Sequence, residues 1–232
     1  MIFHSPYPDF ELPNTAITPL VLRHADRLAS KPALIDATTG RHLTYGEFRD
    51  SIDRVAVGLA AHGVRQGDVV AIYAPNSIDY VIAFHAIATL GATVSAVNPL
   101  YLSEELTRQL VQHDAKFLIT SADLLDRAEE AVTASRVREM VVIGDNERYT
   151  PFSSLFASRG EVPDVQIDPQ NDVVALLCSS GTSGMPKGVM LTHRALVAMG
   201  LALEATSELA ERDVIPGNIP FLSSKANSAS RF

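Results

Sequence analysis

Residues 69–97 read VVAIYAPNSIDYVIAFHAIATLGATVSAV, and this stretch decides the fold. Val69–Tyr73 is a short apolar run rich in β-branched residues, Asp79–Leu90 has helical length, and Thr93–Val97 is apolar again after Gly91. Both flanking runs are apolar throughout rather than alternating, so each reads as a strand covered on both faces. A strand, a helix and a second buried strand make a parallel crossover unit. The stretch Tyr80–Ser103 carries no Asp, Glu, Lys or Arg and is long enough to raise a bilayer span of about 20 residues. Gly91, Thr93, Ser95, Asn98 and Pro99 break it, however, and His85 interrupts its first half. The reading is a helix and a buried strand, with no transmembrane segment.

The same alternation extends in both directions. Upstream, Thr44-Tyr45-Gly46-Glu47 has capping-box spacing, and Phe48, Ile52, Val55 and Leu59 recur at helical intervals before Gly63 closes the segment. Ala33–Asp36 and Arg41–Leu43 flank the turn Thr38-Thr39-Gly40 and predict a hairpin. Thr18-Pro19 reads as a cap and first-turn proline opening an amphipathic helix. Downstream, helices are expected over Glu104–Gln112 and Ala122–Val132, and strands over Lys116–Ile119 and Met140–Ile143. Pro151, Pro163 and Pro169 punctuate a polar stretch between Asp145 and Asn171, where a boundary is expected. Strand Val173–Cys178, a Gly/Ser loop, a short strand Val189–Leu191 and a helix opened by Thr192 follow. The fold class is α/β, with a parallel, doubly wound sheet covered by helices on both faces.

Composition narrows the function. The 232 residues are 47% apolar, enough to fill a core, and carry a formal charge of −8 with no Lys/Arg cluster longer than a pair. Nucleic acid is excluded as a partner, because neutralising phosphates needs a concentrated basic face. Met1–Leu22 holds no Lys or Arg and no apolar core of a leader, so neither a secretory signal nor a transit peptide is read there. The single cysteine, Cys178, allows no internal disulfide and fits a reducing, cytoplasmic location.

The chemistry concentrates in Ser179-Ser180-Gly181-Thr182-Ser183-Gly184-Met185-Pro186-Lys187-Gly188, which has three glycines, four hydroxyls and one lysine directly after an apolar strand. Such a run can turn backbone N–H groups toward an anion while hydroxyls and an ammonium complete the cradle. The plain alternative is a turn between two strands. A Walker-A loop fails at two positions: Pro186 replaces the second glycine, and Gly188 replaces the hydroxyl residue that would hold magnesium. No G-x-G-x-x-G triplet follows any predicted strand, so the dinucleotide fingerprint fails too.

From Leu176 to Lys187, and on through Gly188-Val189-Met190-Leu191-Thr192-His193-Arg194, the sequence resembles the signature of the AMP-forming acyl-activating enzymes, which include acyl-CoA synthetases, coumarate–CoA ligases, luciferases and peptide-synthetase adenylation domains. The resemblance extends upstream through Leu43-Thr44-Tyr45, Gly67–Ala71 and Gly91-Ala92 to Asn98-Pro99-Leu100-Tyr101, and covers about Thr15–Phe221. The Asn98–Tyr101 segment is similar to that of coumarate–CoA and fatty acyl-CoA ligases rather than adenylation domains. The resemblance implies a carboxylic acid substrate, ATP with Mg2+, and coenzyme A. It implies that an acyl-adenylate forms first and that the CoA thiol then displaces AMP. It also implies that Ser179, Ser180, Gly181, Thr182, Ser183, Gly184 and Lys187 hold the β- and γ-phosphates, with Met185 and Pro186 shaping the loop.

The departures matter as much. After Phe221 the family's aromatic/His segment does not follow; residues 222–232 are instead a tail with four serines in eleven residues. The adenine-binding, Thr-Glu, ribose-binding Asp and C-terminal catalytic Lys motifs that the resemblance implies fall beyond these residues. Residues 1–221 are thus expected to form a partial N-terminal domain, truncated and inactive alone, with the C-terminal domain absent. Part of residues 15–65 would lose its packing partner, and an unpaired sheet edge favours aggregation or pairing with another chain. The alternative is a non-catalytic remnant that at most binds polyphosphate or a partner. Cys178 reads as a small strand-end residue rather than a nucleophile, and His193 as a helix-start residue rather than a ligand contact. The other histidines lack zinc-binding spacing, so no metal residues are expected.

Overall fold

The computed structural model describes residues 10–179, 187–207 and 210–217. Nine strands and seven α-helices are assigned among them: α1 (Ile17–Leu22), β1 (Pro32–Ile35), β2 (His42–Thr44), α2 (Tyr45–Ala61), β3 (Val69–Tyr73), α3 (Ile78–Thr89), β4 (Thr93–Ala96), α4 (Ser103–Gln112), β5 (Phe117–Ser121), α5 (Leu125–Val132), β6 (Glu139–Ile143), β7 (Thr150–Pro151), α6 (Phe152–Leu155), β8 (Val173–Ser179), β9 (Lys187–Thr192) and α7 (His193–Thr206). A 3-10 turn, Ala122–Leu124, precedes α5. Seven strands form one sheet in the order β7-β6-β5-β3-β4-β8-β9, while β1 and β2 pair antiparallel on their own.

The expected crossover unit is present. β3 and β4 pair in parallel with Val70 opposite Val94 and Ile72 opposite Ala96, and β3 pairs in parallel with β5 on its other side. Successive residues of β3 feed opposite faces. Val70 and Ile72 join Phe48, Ile52, Val55 and Leu59 of α2 and Ile82, Ala83 and Ile87 of α3. Ala71 and Tyr73 join Leu106 and Leu110 of α4 and Ala128 and Ala131 of α5. Helices on both faces explain why these strands are apolar at every position. A third cluster, formed by Ile17, Leu20, Ala88, Val174 and Val197, seats α1 and α7 at the β8 end of the sheet.

Local signals set most boundaries. At α2 the capping box is complete: Glu47 N–H donates to Thr44 Oγ1 at 3.2 Å and Thr44 N–H donates to Glu47 Oε2 at 2.8 Å. Ser77 caps α3 by accepting from Tyr80 N–H, and Gly91 ends it at φ +64°, where its hydrogen side leaves room for the Gln66 side chain.

Two expectations are corrected. Thr18 is not the cap of α1. The cap is Ala16, so Thr18 and Pro19 fall inside the first turn, where a missing N–H costs no helical bond, and the Thr18 hydroxyl is buried 3.0 Å from His85 Nδ1. The stretch Asp145–Asn171 is not a boundary: β7 pairs with β6, Phe152 and Leu155 of α6 enter the main core, and the chain then crosses to place β8 beside β4 in the same sheet. The parallel, doubly wound sheet is as expected from β7 to β8, and β9 adds an antiparallel return on β8, from Val173–Thr192 to Ser179–Lys187. Of residues 15–65, α1 and α2 are packed; the β1–β2 hairpin stands as two strands with Ile35 exposed. No helix among the described residues is long and apolar enough to cross a membrane.

Candidate functional site

The carboxyl ends of β3, β4 and β8 lie together at one edge of the sheet, the edge from which open α/β folds present ligands. β8 and β9 bring the backbones of Ser179 and Lys187 opposite each other as the last rung of their hairpin. Ser180, Gly181, Thr182, Ser183 and Gly184, with Met185 and Pro186, lie outside the described residues, as does the 222–232 tail. The structure therefore places the two ends of the sequence-predicted loop, and the sheet fixes where it starts and returns.

Beside that hairpin the Asn98-Pro99-Leu100-Tyr101 turn leaves β4. Asn98 accepts from Leu100 N–H through Oδ1 and from Tyr101 N–H through its carbonyl, both at 3.0 Å. The fully buried Tyr73 hydroxyl donates to the Tyr101 carbonyl at 2.5 Å, and Thr120 Oγ1 donates to the Tyr73 carbonyl at 2.9 Å. β3 and β5 thus hold the turn from below. Burial, with the Glu105 charge nearby, raises the Tyr101 phenol. Glu105 is itself engaged at the start of α4, where Oε2 accepts from Leu102 N–H at 3.0 Å.

Beneath the hairpin lies a polar cluster the sequence reading did not pick out. Gln109, on the buried face of α4, and His113, the residue that caps its carboxyl end, meet Ser95 of β4 and Cys178 of β8. Gln109 Nε2 donates to the Ala96 carbonyl (2.9 Å) and to Ser95 Oγ (3.2 Å). Ser95 Oγ is 2.7 Å from His113 Nδ1, and His113 Nε2 is 3.8 Å from Cys178 Sγ. The i, i+4 spacing of Gln109 and His113 was the available signal, but helical polarity by itself reads as a solvated face. Burial holds the His113 imidazole below its usual range and pushes the Cys178 thiol up. A thiol held protonated is a poor nucleophile, which agrees with the strand-end reading of Cys178.

His193, at the first position of α7, is 1% exposed and accepts the Ile17 N–H at Nδ1 (3.3 Å). It ties α1 to α7. A separate cavity of about 260 Å³ opens near the carboxyl end of β6 between Arg41, Asp79, Gly144, Phe152 and Phe156. Its guanidinium is already paired with Asp79 at 3.0 Å. The described groups beneath the hairpin are imidazole, thiol, hydroxyl and amide, and the one carboxylate beside them, Glu105, is engaged with Leu102 N–H. That donor set does not fit Mg2+, which takes hard oxygen ligands, carboxylates foremost.

Fold and site together define a doubly wound α/β protein whose Ser/Thr/Gly-rich segment leaves the carboxyl edge of its sheet. The chain belongs to the AMP-binding enzyme family, whose model matches residues 21–222. It is 37% identical over 199 residues to 4-coumarate–CoA ligase 2 of Solanum tuberosum and 38% identical over 202 residues to 4-coumarate–CoA ligase 1 of Narcissus pseudonarcissus. These matches cover 85% and 84% of this chain and 36% of each relative, so the chain spans about a third of the length of the curated relatives it matches. The crystal structure of a long-chain-fatty-acid–CoA ligase from Archaeoglobus fulgidus superposes with a TM-score of 0.84 at 28% identity, over 91% of this chain and 43% of that one.

Proposed function

We propose that this chain carries the polyphosphate-binding portion of an ATP-dependent carboxylic acid–CoA ligase. One observation carries the reading: the run Ser179–Gly188 leaves β8 at the carboxyl edge of a parallel sheet, in a chain of the AMP-binding family. In the reaction, a carboxylate oxygen attacks the α-phosphate of ATP, and the bond to the departing pyrophosphate breaks. The CoA sulfur then attacks the acyl carbonyl and AMP leaves.

The role assigned to this chain's residues is to hold the β- and γ-phosphates. Backbone N–H groups at Gly181 and Gly184, the hydroxyls of Ser179, Ser180, Thr182 and Ser183, and the Lys187 ammonium meet the charge that grows on pyrophosphate as it leaves. Donors fixed in advance stabilise that charge without reorganising at the moment of reaction. No step is assigned to magnesium, since the described donors do not fit it. Residues 1–221 act as a partial N-terminal domain in this reading, and a reducing compartment suits the one cysteine.

The 232 residues by themselves are inactive in this account, because binding the leaving group alone does not supply the groups that engage adenine, ribose and the acyl carboxylate. Incubated with ATP, CoA and a panel of aromatic and fatty acids, the purified chain should release no AMP above background. Acid-dependent AMP release would overturn the proposal that turnover needs more than these residues.

A further inference from the structure

Under the β8–β9 hairpin, three polar side chains are removed from solvent almost completely: Ser95 is 0%, Gln109 3% and His113 7% exposed. Polar groups buried in this way are costly unless their hydrogen bonds are made, so the direction of each bond is informative. Gln109 Nε2 faces the Ala96 carbonyl at 2.9 Å, which can only accept; the amide nitrogen must therefore be the atom there. Its other hydrogen goes to Ser95 Oγ, whose described hydrogen bonds offer its own proton one acceptor, His113 Nδ1 at 2.7 Å. An imidazole that accepts at Nδ1 carries its proton at Nε2 when neutral. That N–H points at Cys178 Sγ, 3.8 Å away.

Cys178 and Gly188 face each other across the hairpin, one rung before Ser179 and Lys187. A Cβ built on Gly188 would lie 3.5 Å from His113 Nε2, so the ring reaches both strands of that rung. We propose that Gln109, Ser95 and His113 form a one-directional hydrogen-bond relay that fixes the mouth of the β8–β9 hairpin, making His113 a positioning residue for the phosphate-binding loop. The inference rests on the reading of Ser179–Gly188 as a polyphosphate site. It adds that the loop's affinity is set in part from α4, by a side chain that does not touch ligand.

Two substitutions separate the ring's two ends. His113→Asn offers an acceptor near the Nδ1 position but nothing at Nε2, whereas His113→Gln places an amide donor near Nε2. Pyrophosphate titrations at pH 8 should show His113→Asn binding about five- to tenfold more weakly than wild type, the range of one hydrogen bond, and His113→Gln within about threefold. Nitrogen-15 shifts of the His113 ring should report the Nε2–H tautomer in wild type and a mixture in Ser95→Ala. Amide exchange at Cys178 and Gly188 should speed up in His113→Asn.

Wild-type affinity in His113→Asn, or an Nδ1–H tautomer in wild type, would overturn the proposal. If wild type binds no pyrophosphate, the loop reading itself fails. The relay is then judged on tautomer and exchange, and unchanged exchange in His113→Asn overturns it. Should His113→Asn not fold, Cys178→Ala removes the sulfur acceptor without altering α4, and the same weakening and exchange are expected of it.

Discussion

His85 shows how one side chain can serve packing at the expense of its own ionisation. Its ring stands edge-on to Phe48 and Phe84, with centroids 5.7 and 5.3 Å away, and its Nδ1 meets the Thr18 hydroxyl. Burial lowers its pKa from 6.5 to about 4. Above pH 6.5 the ring is neutral folded or unfolded and stability does not respond. Below it the unfolded chain takes up the proton first, so stability is lost between pH 6.5 and 4, by about 3 kcal/mol at the lower end. His113 and His193 are shifted the same way by burial and add to the slope. Denaturant melts at pH 7.5 and 5 should show this loss, and His85→Asn should reduce it; an equal loss in the variant would assign it elsewhere. None of this was legible in the sequence, where the histidines show only an absence of metal spacing. The partners of His85 and His193, Thr18 and Ile17, lie 67 and 176 residues away.

Elements whose ends are set by local chemistry were readable, and those set by distant packing were not. α2 appears where Thr44 and Glu47 put it, whereas α1 starts before its Thr-Pro signal, because Thr18 is drawn into the interior by His85. β7 and α6 were missed because two strand residues and a four-residue helix carry no period; they are held by β6 and by α2. Gly58 marks that contact. A Cβ there would lie 2.9 Å from both Leu155 Cβ and Ser158 Oγ and 3.1 Å from Leu155 Cα, so the helix backbones meet at a distance that only glycine allows. Two substitutions in α2 should therefore differ sharply. Thr44→Ala removes a cap and should cost about 1 kcal/mol, while Gly58→Val forces α6 away and should cost about 3 kcal/mol or more. Equilibrium urea unfolding checks both, and comparable losses would show that the α2–α6 approach is not tight.

At the scale of the whole molecule, alternating apolar runs foretold a parallel sheet covered on both faces, but pattern alone could not give the strand order or the antiparallel return of β9. The sheet ends at β9 among the described residues, and Val189 and Met190 on that edge strand are exposed apolar side chains. The candidate site was legible as composition, in the Ser179–Gly188 run, whereas its support from Gln109, Ser95 and His113 depends on a helix and two strands that only the fold brings together. Lys187 is one of four lysines in the chain, and Lys31, away from the hairpin, provides a matched control. Calorimetric titration of pyrophosphate into wild type, Lys187→Ala, Lys187→Arg and Lys31→Ala addresses the loop directly. Saturable binding is expected in wild type and Lys31→Ala, weakened about tenfold or more in Lys187→Ala and partly kept in Lys187→Arg, because the charge remains but its shape changes. No binding in wild type, or equal binding in wild type and Lys187→Ala, would contradict the assignment of this loop to polyphosphate.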